Sequence, residues 1–221
     1  MHVAFPKLYD QEMENWSNPN TQWRSNLKRL WGCGTQFAIR AKVATPENMQ
    51  QHGFGQLISE SMDGDIFDPL TSDAKLALSQ GTPRLYYMKL TGGRPLRVHQ
   101  ITRHKCVTQC LGALGLDQPF YMVLHAPTDQ PTLKGLMAFQ IPPRHFLKLE
   151  VGTWHAGPLW TGPDDSRTFI NLELADTNVF DHDTVLLSSL PPYNTNGTAT
   201  KDNESSELII PILEVLRNGE N

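Results

Sequence analysis

Hydrophobic and polar residues alternate in short runs through the middle of this chain. From Pro83 onward the segments LYYMKL, LRVHQIT, TQCLGALG, PFYMVLHAP, LMAFQIP, FLKLEVGTWHAG and RTFINLEL follow one another, each apolar or alternating. Glycine and proline punctuate them at Gly92, Gly93, Gly115, Pro127, Pro142, Pro143, Gly152, Gly157, Pro158, Gly162 and Pro163. A two-residue period sends every second side chain to one face. Short strands repeating at roughly 10-residue spacing predict an all-β sandwich or barrel. No pattern for a long helix interrupts residues 84–176.

The flanks read differently. Residues 36–43 (QFAIRAKV) alternate and predict a strand. Thr45, Pro46 and Glu47 then supply an N-cap, a proline at the first helical position and an acid in the first turn, so a brief helix ends before Gly53. Residues 54–59 resume as a strand, and residues 61–82 read as loop. Trp16, Trp23, Leu27, Leu30 and Trp31, set among Arg24, Lys28 and Arg29, fit a short amphipathic helix that packs its aromatic side onto the same domain. Residues 188–207 are polar and read as a flexible loop. The organisation expected is therefore an N-terminal extension at 1–35, a barrel at 36–187, the loop at 188–207, and a segment at 208–221 that docks back.

Composition narrows the function classes. The 221 residues carry 19 Lys plus Arg against 23 Asp plus Glu, a formal net charge of -4. That balance argues against a general nucleic-acid or membrane-surface binder. Three cysteines (Cys33, Cys106, Cys110) are too few and odd for a disulfide scaffold. Cys106 and Cys110 have no second Cys/His pair at finger spacing and read as small buried hydrophobes. The first residues lack a basic region followed by an apolar run, and no stretch is long and apolar enough to span a bilayer. The sequons at Asn15, Asn196 and Asn203 are then read as chance matches, and the expected location is the cytoplasm.

Two segments carry chemistry. HQITRHKCVTQC (residues 99–110) and FLKLEVGTWHAGPLW (residues 146–160) each place a histidine on or near a strand end. In a double-sheet jelly roll two such strands can face each other where pockets form. The pairing of an H-x(4)-Q segment with a later G-T-W-H segment resembles the two motifs of the cupin superfamily. That likeness implies a jelly-roll barrel, with His104 and His155 at two histidine positions and Gln109 at the acid position. Thr102 stands where cupins carry their first histidine. A divalent metal is the cofactor such a pattern implies, held if present by His104, Gln109 and His155. Two imidazoles and a neutral amide make a poor divalent site.

A closer likeness covers about residues 36–185. HQITRHKCVTQC is similar to the H-E-x-E-R-H-x-x-G-T-Q-x segment of the ureidoglycolate lyase family (formerly ureidoglycolate hydrolases), with His99, Arg103, His104, Thr108 and Gln109 in register. The later segment resembles that family's Y-H-x-x-x-W-H-H-P-L, matching at Trp154, His155, Pro158 and Leu159. The stretch QFAIRAKVATPENMQQHGFGQLI resembles its opening strand and short helix, and NLELADTNVFDHD a diverged form of its last barrel strand. Ala156 replaces the family's second consecutive histidine, Gly157 is inserted before the proline, Thr102 replaces an acid and Lys105 a proline. The pattern is that of a diverged, eukaryotic-type branch.

The resemblance implies a lyase of allantoin degradation and purine catabolism that splits ureidoglycolate into glyoxylate and urea. Such a step needs a base for the substrate hydroxyl, an acid for the departing nitrogen and a cation for the carboxylate. His104, His155 and Gln109 are the candidate catalytic residues, since imidazoles titrate near working pH. Arg103, Thr102, Thr108 and Trp154 are candidates for holding the substrate, as are Asn171 and Glu173, which share one face of RTFINLEL. Trp154 is expected as core or pocket wall. Strand parity puts Gln100 and Thr102 on the face of His104 and turns Arg103 and His99 away, so Arg103 acquires a salt-bridging reading and Arg97, Lys105 and Arg144 become further carboxylate candidates. By the same parity Gln109 joins His104 only through a turn after Lys105. His125, His145 and His182 have no partner at diagnostic spacing and read as ordinary histidines, while Asp176, Asn178 and Asp181 read as turn organisers. The alternatives are a non-catalytic or sensory cupin binding a small carboxylate, and a metal-dependent cupin enzyme of another reaction type. A homodimer is expected, because pairing between copies hides sheet edges.

Overall fold

The computed structural model describes residues 37–59, 72–91, 96–115, 117–161, 165–190 and 208–209. The tryptophan-bearing segment at 15–31 and the loop from 191 to 207 lie outside them. The described chain is nearly all strand, with helices of only 6 and 4 residues, α1 (Pro46–Gln51) and α2 (Thr177–Phe180). One sheet is built from β3 (Gly55–Ile58), β10 (Phe146–Leu149), β7 (Gln109–Ala113), β12 (Ser166–Leu174) and β4 (Pro83–Thr91), in that order. The other holds β13 (Asp183–Leu186), β6 (Gln100–Arg103), β11 (Trp154–Leu159), β8 (Phe120–His125), β9 (Met137–Ile141) and β2 (Ala41–Val43). β1 (Phe37–Ala38), β14 (Leu208–Ile209) and β5 (Arg97–Val98) form a small third sheet, through which the chain beyond the barrel returns to it.

The pairing is that of a rolled hairpin. β8 pairs with β9 in the six-stranded sheet, β7 with β10 in the five-stranded one, β6 with β11 back in the first, and β4 with β12 in the second. Nested antiparallel pairs that alternate between two sheets make a jelly roll, the cupin-like fold expected from the strand spacing. Two expected strands are each divided. Residues 146–157 turn at 150–153, so Phe146–Leu149 lies in one sheet and Trp154–Leu159 in the other. Residues 36–43 break at Ile39 and Arg40 into β1 and β2.

Local chemistry explains the elements. Thr45 caps α1 by accepting from the Asn48 amide at 3.3 Å, and the Asn48 side chain accepts from the Thr45 amide at 2.9 Å. Met49 then points into the core at 0% exposure. β8 is buried at every position because both faces of its sheet are covered. Phe120, Met122 and Leu124 join Phe54, Phe139, Leu147 and Phe169 between the sheets. Tyr121 and Val123 join Ile101, Trp154, Leu133 and Leu187 on the outer side. Each such side chain contributes about 1.5–3 kcal/mol of burial.

The inserted Gly157 has a definite place. The register of β11 against β8 shifts between Ala156 and Leu159, so the extra residue is absorbed as an irregularity at the strand's centre. Gly157 has φ 128, and a Cβ there would meet the Met122 sulfur at 2.6 Å and the Tyr121 carbonyl oxygen at 2.8 Å. Only glycine fits.

Candidate functional site

The sandwich is packed at one end and open at the other. The open end holds a cavity of about 470 Å³ lined from both sheets, by Tyr86 and Met88 of β4, Gln109 of β7 and Asn171 of β12 on one side, and by Thr102 of β6 and His155 of β11 on the other. His104 and His182 complete its histidine wall. Three imidazoles therefore meet at one place: the His104 ring centroid lies 5.4 Å from that of His155 and 5.6 Å from that of His182.

Each histidine has a structural reason for its position. β6 ends at Arg103, and the chain then turns and crosses to the other sheet at Gln109. The crossing brings both His104 and Gln109 to the cavity, the turn that their odd spacing required. Asp181, just past α2, clamps that turn. Its carboxylate accepts from the amides of Lys105 and Cys106, each at 2.7 Å, and its carbonyl accepts from His104 Nδ1. A histidine that donates through Nδ1 keeps the lone pair of Nε2. His155 Nδ1 likewise donates to the Thr153 carbonyl at 3.1 Å. Burial, then the neighbouring His104, and more weakly His182, push the His155 imidazole down to about 4, against an opposing pull from the Thr153 carbonyl. His155 is thus a neutral acceptor at neutral pH.

Opposite the histidines lies a polar network. Glu173 is 0% exposed and binds Arg84 Nη2 at 2.7 Å, the Tyr86 hydroxyl at 3.0 Å and Gln109 Nε2 at 3.2 Å. Asn171 donates Nδ2 to the Tyr86 hydroxyl at 2.8 Å. Burial raises the Tyr86 phenol, with help from the Glu173 charge and against the Asn171 hydrogen bond and Arg84. The phenol stays protonated and donates to Glu173. The alternation of β12 does this work: Arg167, Phe169, Asn171 and Glu173 all turn inward.

The structure brings together His104, His155, Gln109, Thr102 and Asn171 at the cavity wall, with Glu173 directly behind Gln109. It places Arg103, Thr108 and Trp154 outside the cavity. Arg103 faces away from His104, as neighbours on a strand must, and binds Asp183 at 3.0 Å, Asp129 at 2.9 Å and the Thr128 carbonyl at 2.7 Å. Its guanidinium lies 4.6 Å from the Trp154 ring centroid, and Trp154 Nε1 donates to the Thr128 carbonyl at 2.8 Å. Thr108 accepts from the Ala77 amide at 2.9 Å. Of the further cations, Arg97 lines the cavity, whereas Lys105 pairs with Asp183 at 3.1 Å. His99 also reaches the cavity, because a bend between β5 and β6 interrupts the parity that turned it away.

His182 and Tyr86 escaped the sequence reading. His182 follows a four-residue helix whose length no periodicity announces. Tyr86 had a signal, since it shares a strand face with Met88 and Leu90. Asp181 organises a turn 75 residues upstream rather than its own. His125 lies outside the cavity, donating to the Ala126 carbonyl at 2.8 Å and accepting from the Thr132 amide at 3.2 Å.

The family model for ureidoglycolate lyase matches residues 67–188. The chain belongs to the ureidoglycolate lyase family. No curated protein matches it. The family match spans both histidine segments, β12 and the Asp181–His182 turn, so all four cavity histidines, His99, His104, His155 and His182, fall within it. A divalent ion of the wider cupin pattern would find the Nε2 atoms of His104 and His155 and the Oε1 atom of Gln109, two imidazoles and a neutral amide that make a poor divalent site, while the Glu173 carboxylate is held by Arg84. Among the described residues no group of three or more His, Cys, Asp or Glu side chains is arranged to hold a metal. Nor is any helix among them long and apolar enough to cross a membrane.

Proposed function

We propose that this member of the ureidoglycolate lyase family cleaves ureidoglycolate to glyoxylate and urea with imidazoles as acid and base. The carrying observation is the cluster of His104, His155 and His182 around one cavity. His155, neutral and with its Nε2 lone pair uncommitted to Thr153, is suited to take the substrate hydroxyl proton. As that proton leaves, the C–O bond becomes the carbonyl of glyoxylate and the C–N electrons pass to nitrogen. His104, whose ring lies 5.4 Å from that of His155, is the acid that delivers a proton to the departing urea nitrogen. Arg97 offers a guanidinium for the carboxylate at the same wall. Gln109 and Asn171 border the remaining part of the substrate.

The reading is tested by incubating purified protein with ureidoglycolate and measuring glyoxylate. Release by the wild type and its loss in His155→Ala are expected. A folded wild-type protein that releases none overturns the proposal. One observation favours a second reading, a non-catalytic binder of a small carboxylate. Thr102, at the position of a family acid, spends its hydroxyl on Thr184 at 3.1 Å. Ligand-induced thermal stabilisation with the ligand recovered unchanged supports that reading instead.

A further inference from the structure

Only one half of the cavity wall is polar. β7 begins at Gln109, opposite Leu149, and β11 begins beside Thr102, so the polar side chains gather where the chain crosses between the sheets. β4 runs away from those crossings. Beyond Tyr86, the next residues on its inner face are Met88 and Leu90, both half-buried and both lining the cavity. β11 runs the same way from His155 to Gly157 and Pro158, neither of which has a polar side chain. Thr102, where the family pattern carries an acid, removes a charge from the opposite wall. The cavity is therefore polar beside the crossings and apolar further in.

Its size points the same way. A volume of about 470 Å³ falls in the range, roughly 300–1,000 Å³, of pockets that enclose drug-sized ligands. Ureidoglycolate is much smaller and polar at both ends, so it leaves Met88 and Leu90 uncovered. A wall of such side chains offers water few hydrogen-bond partners, and covering it with an apolar group is favourable. The reaction fixes where on a substrate that group belongs. The cleaved unit is –CO–NH–CH(OH)–COO⁻, whose hydroxyl and C–N bond react at the histidines. What remains free to vary is the substituent on the far side of the carbonyl, which in ureidoglycolate is NH2.

We propose that the cavity serves the wider class of N-acyl-α-hydroxyglycines, R–CO–NH–CH(OH)–COO⁻, with an apolar R lying over Met88 and Leu90. The proposal rests on the lyase reading for the bond that breaks. His155 takes the hydroxyl proton, the hydroxyl-bearing carbon becomes the aldehyde of glyoxylate, and the C–N electrons stay with nitrogen. His104 supplies the proton that completes the primary amide R–CO–NH2. Exchange with solvent then discharges His155 and recharges His104, so no oxidant, reductant or other co-reactant is consumed.

Two parallel measurements on the purified protein test it. Glyoxylate release above the spontaneous rate is followed with N-hexanoyl-α-hydroxyglycine, N-acetyl-α-hydroxyglycine and ureidoglycolate. Calorimetric titration compares the unreactive N-hexanoylglycine and N-acetylglycine. The hexanoyl compound should exceed the acetyl one at least about tenfold, in kcat/KM and in affinity, because the longer chain covers more of the apolar wall. Met88→Gln and Leu90→Asn keep the shape and add polarity; in whichever of them melts cooperatively, both ratios should fall toward one. No glyoxylate from the hexanoyl substrate, or equal values for hexanoyl and acetyl in the wild type, overturns the proposal. Unchanged ratios in the folded variants overturn the placement of R on this wall. Ureidoglycolate separates the two readings. Its turnover without hexanoyl turnover keeps the lyase and removes the wider class. Tighter binding of N-hexanoylglycine without turnover of any substrate keeps the apolar subsite and removes the lyase.

Discussion

The two ends of the space between the sheets are built by the same strands and do opposite things. At one end Phe169 of β12 packs at 0% exposure against Phe120, with ring centroids 5.4 Å apart, among Phe54, Phe139 and Leu147. Two and four residues further along the same face, Asn171 and Glu173 replace the aromatic ring by an amide and a carboxylate. The apolar end closes on itself and stabilises the barrel. The polar end leaves a cavity and an imidazole whose protonated form the surroundings disfavour. A jelly roll thus needs only one end of its interior for stability.

Substitutions at the two ends should separate activity from stability. The largest effect is expected from His155→Ala, with turnover falling by about 10²–10⁴-fold while the melting temperature changes little. A glyoxylate assay beside a thermal melt reads both. Phe169→Ala should do the reverse. It should cost about 3–5 kcal/mol in urea unfolding and leave turnover per folded molecule near the wild-type value.

The acid response comes next. His155 sits at about 4 in the folded protein against 6.5 when unfolded, so the unfolded chain takes up the proton first. Its contribution is fully favourable above pH 6.5 and is lost as the pH falls from there to about 4. The loss should not exceed about 3 kcal/mol, and it should be absent from the difference between pH 7 and pH 5 unfolding in His155→Gln. The smallest effect is expected outside the cavity. Arg103→Met should cost about 1–2 kcal/mol through lost hydrogen bonds and leave turnover within about twofold. A tenfold fall in turnover would place Arg103 in the chemistry after all.

Much of this was legible in particular residues. The Thr45-Pro46 start of α1, the alternation of residues 167–174 and the parity that sets Arg103 opposite His104 are local rules, and the structure follows each. Parity stops being informative wherever the chain bends. His99 shows this at the junction of β5 and β6, and so does the turn that sends residues 146–149 and 154–159 to different sheets. His182 had no local signal at all. It becomes a cavity residue only because Asp181 reaches back to the amides of Lys105 and Cys106.

What the sequence determined by itself is the strand class, the faces of the longest strands and the two histidine segments, because these depend on periodicity and on neighbours a few residues away. The tertiary structure alone decided which polar side chains meet. Glu173 finds Arg84 and Tyr86 from 89 and 87 residues away, and His104 finds the Asp181 carbonyl from 77. Pairings at that range follow from how the nested hairpin rolls, and rolling places His104, His155 and His182 around one cavity.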